Sequence, residues 1–198
     1  ELDNSFDWYM RRTLNKPRKE LINKYIKYKA ISLYPIVPHL ISEILEKIGL
    51  DPFNIKYPEE KYSEEYEKYE EFIKDLRDDI IKLKILVGNK NVKKIKIIVA
   101  SKEKYELLNE IKNNREKIDE YISKYPQYRN MLNFVKKNQY ILDKFFDRDT
   151  EYNLLVSSLD FLKSEFGFDD IILEKEEESN EEKKIRAIPY KPAIVFLM

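Results

Sequence analysis

Through most of this chain, apolar residues recur at the three- and four-residue steps that are typical of helices. Only three short segments are instead rich in the β-branched residues that favour strands. The clearest helical stripe lies within residues 59–86, where Phe72, Leu76, Ile80 and Leu83 keep a 3.6-residue period. The three segments predicted as strands are 93–101, 170–176 and 193–198. The pattern predicts an α+β fold: an N-terminal helical bundle portion, then a small α/β domain with a short three-stranded sheet packed by helices.

Proline and glycine mark where the other predicted helices end. Residues Phe6 to Gly49 are predicted to form two helices with a boundary near Asn15, because Pro17 interrupts the periodicity. A later amphipathic helix is capped by Asp149 or Thr150 and closed by Gly167. The remaining predicted helices span 102–113, 115–124 and 128–138. The resulting domain prediction is residues 1–88 and residues 89–198.

Missing residue types exclude several kinds of site. The chain has three glycines, and their wide spacing leaves no glycine-rich nucleotide loop and no G-x-S-x-G elbow. It has no cysteine and a single histidine, so thiolate sites, disulfides and multi-histidine zinc sites are excluded. We therefore predict no catalytic residue and no metal site. No apolar run reaches the length of a membrane helix, and we expect a cytoplasmic protein.

Charge is distributed unevenly although the formal net charge is zero. Residues 59–81 carry a net charge of −6, and residues 82–117 carry +7. Lysines 90, 93, 94 and 96 are the densest basic group and are candidates for contacting a phosphate backbone. Strand alternation would place Lys94 and Lys96 on one face, where they could instead protect an exposed sheet edge. The helically spaced Tyr62, Tyr66 and Tyr69 are interpreted as packing residues.

Acidic pairs and the single histidine have alternative interpretations. Paired carboxylates between lysines are typical of a solvated helix face, although the acidic segment 59–81 could serve a helical protein-interaction module. His39 follows Pro38 at a predicted helix start. It could contact a phosphate, or it could be a structural histidine, and the sequence specifies no Ser-His-Asp set around it.

Three segments, in a fixed order, carry a resemblance to a known family. Residues Trp8 to Arg12 resemble the Trp-Tyr-x-Arg-Arg segment of the anticodon-binding helices of archaeal-type leucyl-tRNA synthetases. Residues Tyr34 to Gly49 are similar to that family's Ala-Pro-x-x-Pro-His-Ile-x-Glu-Glu-Leu-Trp-x-x-x-Gly segment, with Tyr34, Ser42 and Leu45 in place of Ala, the first Glu and Trp. Tyr57-Pro58 then falls where the family has Trp-Pro. The tail from Ala187 to Ile194 is similar to the closing Ala-x-Pro-x-Lys-Pro-Ala-Ile of archaeal and eukaryotic leucyl enzymes.

The resemblance implies a tRNA-binding portion of a leucine–tRNA ligase, with leucine tRNA as partner and a place in protein biosynthesis. Its helices would lie along the tRNA, and its C-terminal domain would hold the long variable arm. The catalytic and editing domains, and the ATP that they use, would belong to an upstream part of the same enzyme. This part alone would need no cofactor.

The resemblance and the charge pattern together give nine candidate tRNA-binding residues. They are Arg11, Arg12, His39, Lys90, Lys93, Lys94, Lys96, Arg186 and Lys191. Arg12 could instead pair with Glu43 and brace two helices. A stand-alone RNA-binding accessory paralogue remains an alternative to the leading interpretation, as does the interaction module.

Overall fold

The structure, a computed structural model, describes residues 2–54, 63–88 and 92–197; Lys90, Tyr57-Pro58 and Tyr62 lie outside these ranges. The chain divides into two compact units, Glu1–Ser63 and Glu64–Met198. The first unit is helical, and the second combines helices with the predicted sheet. The α+β prediction is therefore confirmed.

The first unit contains three helices rather than the predicted two, followed by a 3₁₀ turn. They are α1 Leu2–Arg12, α2 Lys19–Leu33, α3 Pro38–Lys47 and the turn Pro52–Asn54. The chain breaks between α2 and α3 because Pro38 occupies the first turn of α3, where its missing N–H leaves no hydrogen bond unmade. A small core of Ala30, Ile41 and Leu45 joins α2 to α3.

Helix α1 attaches to α2 through an aromatic and polar contact. The rings of Phe6 and Tyr25 stack with centroids 3.8 Å apart. The Tyr25 hydroxyl donates a hydrogen bond of 2.7 Å to Asp3 Oδ1, and the Lys29 ammonium pairs with the same carboxylate. Since α1 has no fully buried residue, these contacts supply much of what holds it in place.

The second unit starts with the long charged helix and continues through the sheet and its connecting helices. Its helices are α4 Glu64–Leu86, α5 Lys102–Asn113, α6 Ile118–Lys124, α7 Arg129–Lys137, α8 Ile141–Lys144 and α9 Arg148–Phe166. Its strands are β1 Lys94–Val99, β2 Asp170–Lys175 and β3 Ala193–Leu197. Single 3₁₀ turns cover Arg115–Lys117, Pro126–Tyr128 and Glu182–Arg186. The strand predictions are confirmed, whereas α8 and the last 3₁₀ turn were not predicted.

The sheet has the order β2-β1-β3, so β1 is its central strand. Strand β1 pairs in parallel with β2 and antiparallel with β3, and Ile95 lies opposite both Ile171 and Phe196. The interpretation of the lysines as protection for a sheet edge is therefore wrong. A central strand has both sides of its backbone paired, so it has no free edge.

The hydrophobic core of this unit lies between the sheet and its helices. Ile95 and Ile97 of β1 are fully buried, as the predicted alternation requires, and α9 contacts both β1 and β2. Helix α4 buries Phe72 and Ile73 and packs on α9. Tyr69 packs edge-on against Phe146 as predicted, whereas Tyr66 is 71% exposed and does not belong to the core.

The ends of α9 are fixed by one side chain and one glycine. Asp147 is the cap, because its Oδ1 accepts a hydrogen bond of 2.8 Å from the Thr150 N–H. The prediction of Asp149 or Thr150 was therefore a few residues late. Gly167 closes the helix at φ 67°, a left-handed conformation that glycine adopts without steric penalty.

The division into compact units falls between Ser63 and Glu64, earlier than the predicted domain boundary after residue 88. Helix α4 groups with the second unit because its polar side chains reach into that unit. Arg77 Nε, for example, donates a hydrogen bond of 2.8 Å to Glu165 on α9. The boundary after residue 88, which rests on the order of predicted helices and strands, remains a prediction.

Candidate functional site

The described candidate residues fall into two groups, those whose charge is matched inside the chain and those that face solvent unpaired. Lys94, the first residue of β1, is exposed and makes no ion pair with a described residue. Its neighbour Lys93 is half exposed, with its Nζ 3.8 Å from Asp169 Oδ1. Lys94 is thus available to a phosphate, and Lys93 is held only by a long surface pair.

Lys96 lies two residues along the same strand face but is paired with two acids. Its Nζ is 3.1 Å from Glu174 Oε1 on β2 and 3.1 Å from Glu181 Oε1, and its side chain is 13% exposed. Burial disfavours the charged form, but the hydrogen bonds to Glu181 and Glu174 outweigh it and raise the pKa of Lys96. The group of three carries a net negative charge, so it offers a phosphate little attraction.

Lys191 connects the tail to α4. Its Nζ lies 2.8 Å from Asp79 Oδ2 and 3.9 Å from Asp75 Oδ2, and its side chain is 19% exposed. Because two carboxylates already match its charge, Lys191 offers a phosphate less attraction than an unpaired lysine would. Its contact with RNA remains a prediction. The geometry gives this lysine a clear part in holding the tail.

Arg186 is exposed at the end of the 3₁₀ turn Glu182–Arg186 and makes no ion pair with a described residue. A buried lysine that was not predicted fixes this turn. Lys104 Nζ donates to the carbonyl oxygens of Ile185 and Ala187, at 2.9 and 2.7 Å, and to Glu176 Oε1 at 2.9 Å. Because all three ammonium hydrogens have acceptors, Lys104 is buried at 2% exposure and positions the backbone beside Arg186.

Glu176 links that lysine to the start of α5. Its second oxygen accepts a hydrogen bond of 2.8 Å from the Ser101 N–H, at the amino end of the helix. One carboxylate at the end of β2 therefore satisfies both a buried ammonium and a free helix N–H. The signal for Lys104 was present in the sequence, since it lies three, four and seven residues before the apolar Leu107, Leu108 and Ile111.

The tail segment that carries the family resemblance forms a tight turn. Ile188 and Lys191 exchange backbone hydrogen bonds of 3.0 and 2.8 Å, with Pro189 and Tyr190 between them. Tyr190 adopts φ 72°, a conformation that non-glycine residues adopt at a penalty of about 1 kcal/mol. Its side chain compensates, because the ring packs 5.4 Å from that of Phe72 and the hydroxyl donates to Asp75 Oδ2 at 3.1 Å.

A buried carboxyl group holds the backbone of the same turn. Glu151 Oε2 on α9 accepts a hydrogen bond of 2.8 Å from the Tyr190 N–H, and Glu151 is fully buried. The buried hydroxyl of Tyr105 lies beside this carboxyl, although neither that hydroxyl nor Glu151 Oε1 has a well-aligned partner among the described residues. Burial raises the pKa of Glu151 to about 7, despite the Tyr190 hydrogen bond, which acts to lower it.

The candidates of the first unit lie near the ends of its helices. Arg11 and Arg12 close α1, and the Arg11 guanidinium lies 5.8 Å from the centre of the Trp8 ring. His39 is exposed at the second position of α3. Glu43, the alternative partner of Arg12, accepts a hydrogen bond of 2.8 Å from Lys47 on its own helix.

Several acidic side chains of α4 are bound by residues of the same chain. Glu71 pairs with Lys144, Asp75 accepts from Tyr190, and Asp79 accepts from Lys191. These carboxylates anchor later parts of the second unit, which weakens the interpretation of this helix as a free interaction surface. Across residues 2–54, 63–88 and 92–197, no cluster of three acids or histidines has the geometry to hold a metal ion. None of the helices in these ranges has the length and apolarity needed to cross a membrane.

Comparison with curated proteins places the chain among relatives of one kind, although no family model matches it. It is 33% identical, over 98% of its length, to the leucine–tRNA ligase of Methanocaldococcus jannaschii. It is 34% identical over 98% to that of Methanococcus maripaludis strain C7, and 24% identical over 98% to that of Aeropyrum pernix. The chain spans only 21 to 22% of the length of these relatives. The homologues of this chain are thus archaeal leucyl-tRNA synthetases, of which it corresponds to about one fifth, consistent with a piece of their C-terminal part.

Proposed function

We propose that this chain is the tRNA-binding portion of a leucyl-tRNA synthetase. It docks leucine tRNA through the RNA backbone and the long variable arm, so that an upstream catalytic domain, using ATP, can aminoacylate the tRNA. The observation that carries the proposal is that similarity to archaeal leucine–tRNA ligases extends over 98% of the chain. The upstream catalytic and editing domains and the cytoplasmic location are parts of the same proposal.

Two unpaired cations of the second unit give this function a physical basis. Lys94 and Arg186 present charges that no described carboxylate neutralises, so each can displace a counterion from a phosphate. In the first unit Arg11, Arg12 and His39 contribute contacts at helix ends, and Lys90 and Lys93 extend the basic segment before β1. Phosphate contacts position the RNA, and unpaired bases of the variable arm supply the specificity.

The test measures binding of the 198-residue chain to leucine tRNA, with and without the variable arm, across a salt series. We expect affinity to fall with salt and the armless tRNA to bind less tightly. Lys94→Ala and Arg186→Ala should each weaken binding and reduce the slope of log affinity against log salt by about 1. The matched control is Lys47→Ala, because Lys47 is 72% exposed but pairs with Glu43 at 2.8 Å.

Three results would count against the proposal in different ways. Equal affinity for both tRNAs would remove the variable arm as a partner and favour an accessory RNA-binding paralogue. Absence of binding at low salt would favour a protein-interaction module. Equal losses in Lys47→Ala and Lys94→Ala would show that unpaired charge does not determine which lysines contact RNA.

A further inference from the structure

We propose that a cleft beside α6 binds one unpaired nucleotide of an RNA, with the base on a tyrosine ring and the phosphates on two lysines. This tyrosine cleft is lined by Asn114, Lys117, Glu120, Tyr121 and Lys124 and has a volume of about 300 Å³. It contains none of the nine residues predicted from the sequence. The inference rests on the proposed function and adds to it a specific site and the chemical class of its ligand.

Two tyrosines form a stacking platform at the cleft. Tyr121 and Tyr125 stand one helical turn apart, with ring centroids 6.3 Å apart and planes only 14° from parallel. Both are half-buried, so part of each ring remains accessible to solvent. A nucleobase can extend such a parallel pair, and because every base has a π-face, stacking binds any base sequence.

Two cations flank this platform, and neither forms an ion pair with a carboxylate of the described residues, although Glu120 lines the same cleft. Lys117 is exposed, and its ammonium makes no hydrogen bond or ion pair with any part of the chain that the structure describes, while its backbone N–H donates to the Asn114 carbonyl oxygen at 3.0 Å. Lys124 Nζ lies 5.1 Å from the centre of the Tyr125 ring, so its charge is held at the platform itself. The neighbouring Asp119 does not compete for these lysines, because both its oxygens accept from Lys136, at 2.7 and 2.8 Å.

The remaining two lining residues favour a nucleotide over a simple anion. Asn114 Nδ2 donates to the Glu110 carbonyl oxygen at 3.2 Å, which leaves the Asn114 side-chain oxygen as an acceptor. Glu120 adds a carboxylate, which repels bare phosphate but accepts hydrogen bonds from base amino groups or a ribose hydroxyl. A ligand that combines an anion, hydrogen-bond donors and an aromatic face matches all five residues, and a nucleotide has these three parts.

The cleft is built on a fixed frame, so its residues need little ordering when a ligand binds. Arg115, in the 3₁₀ turn at its edge, bonds through both terminal nitrogens to Asp143 of α8. Ile118, the first residue of α6, is buried, and α6 packs on α7. A preformed platform loses less conformational entropy on binding than a mobile loop would.

The experiment uses the 198-residue chain and a fluorescent single-stranded ten-nucleotide RNA of mixed sequence, followed by anisotropy. We expect Tyr121→Ser to weaken binding about fivefold or more, the equivalent of one lost base stack, and Tyr121→Phe to keep wild-type affinity. The double variant Lys117→Ala with Lys124→Ala should reduce the salt slope by about 1.4, because each phosphate contact on a single strand contributes about 0.7. Lys137→Ala removes an exposed lysine from neighbouring α7, outside the cleft, and should leave affinity within about twofold.

A second readout maps ultraviolet crosslinks between a 4-thiouridine version of this RNA and the wild-type chain, which does not depend on any variant folding. We expect crosslinks at Tyr121 or Tyr125. Wild-type affinity in Tyr121→Ser and in the double lysine variant, or crosslinks confined to other regions, would overturn the cleft while leaving the proposed function intact. Failure of the wild-type chain to bind either leucine tRNA or the oligonucleotide would overturn both.

Discussion

Lys94 and Lys96 differ in function although they stand two residues apart on one face of β1. Lys94 faces solvent unpaired, while Lys96 is bound by one carboxylate from β2 and one from the segment before the last 3₁₀ turn. Those acids are 78 and 85 positions away in the sequence, so a local charge count could not reveal the pairing. The pairing of Lys191 with Asp79 could not be predicted for the same reason, because these partners are also far apart in the sequence. At the scale of residues, sequence identifies which side chains are charged, and the fold decides which charges remain free.

Glu151 gives a pH prediction at this scale. Its folded pKa of about 7 exceeds the ordinary value of 4.5, so between these values the folded chain holds a proton that the unfolded chain releases. Its contribution to stability is therefore present in full below about pH 4.5 and is lost as pH rises through about 7. The shift corresponds to about 3 kcal/mol.

We expect Glu151→Gln, which keeps an oxygen for the Tyr190 N–H, to be more stable than the wild type at pH 8. The advantage should shrink steadily towards pH 4.5. Urea unfolding of both proteins over this pH range measures the difference between their free energies of unfolding. The other titrating groups are common to both proteins, so their effects cancel in this difference. A difference that does not vary with pH would show that Glu151 is not titrating between these values.

Lys104 gives a second prediction, about a buried cation that holds together three separate segments. Lys104→Met leaves Glu176 without its ion-pair partner and two carbonyl oxygens without donors, so we expect a loss of about 3 kcal/mol in the free energy of unfolding. Lys102→Met, two residues away and exposed, should change it by less than about 0.5 kcal/mol. Urea denaturation distinguishes the two, and equal effects would contradict the buried network.

Helices and strands were the features best predicted from the sequence, because each depends on the spacing of apolar residues that are close together in the chain. The limits of α5 agree with the prediction to the residue, and all three strands fall within the predicted segments. The elements that were not predicted have local causes too: α8 is only four residues long, and only four residues, among them Pro35, separate α2 from α3. Strand order could not be read from periodicity, which is why β1 was assigned a possible edge position.

The cap of α9 carries the prediction at this scale. Asp147→Ala removes the hydrogen bond to the Thr150 N–H and the carboxylate at the positive end of the helix, so we expect a loss of about 1 kcal/mol. Asp147→Ser keeps a capping oxygen and should recover most of it. Asp149→Ala is the matched control on the neighbouring acid, with an expected change within about 0.5 kcal/mol. Thermal or urea unfolding ranks the three variants, and a larger effect at Asp149 would restore the original assignment.

The molecule as a whole combines a weakly buried helical unit with a well-buried mixed unit. Among the described residues of the first unit, the buried apolar side chains of the helices are few: Ala30, Ile31, Ile41 and Leu45. The second unit has a continuous core that runs from α4 through the sheet to the tail. The tyrosine cleft was not predicted either: its lining residues all lie within positions 114–124, but periodicity does not show which of them stay exposed once α6 packs on α7.

We expect the fragment 64–198 to fold on its own, since α4, the sheet and the tail turn supply one another's partners. Circular dichroism should give a cooperative urea transition for this fragment. The control fragment 94–198 lacks Phe72, Ile73, Asp75 and Asp79, so Tyr190 and Lys191 lose their partners and no cooperative transition should remain. A folded 94–198 fragment would show that α4 is peripheral to this unit.

The central position of β1 also bears on the order in which the protein can be completed during synthesis. β1 leaves the ribosome well before either of its neighbours, because five helices separate it from β2, and β3 follows later still. Until then its row of isoleucines has helices to pack on but no strand to pair with. Because the paired strands are far apart in the sequence, formation of the sheet is a late and slow step of folding. The tail turn, with Tyr190 and Lys191, would then pack on helices that are already in place.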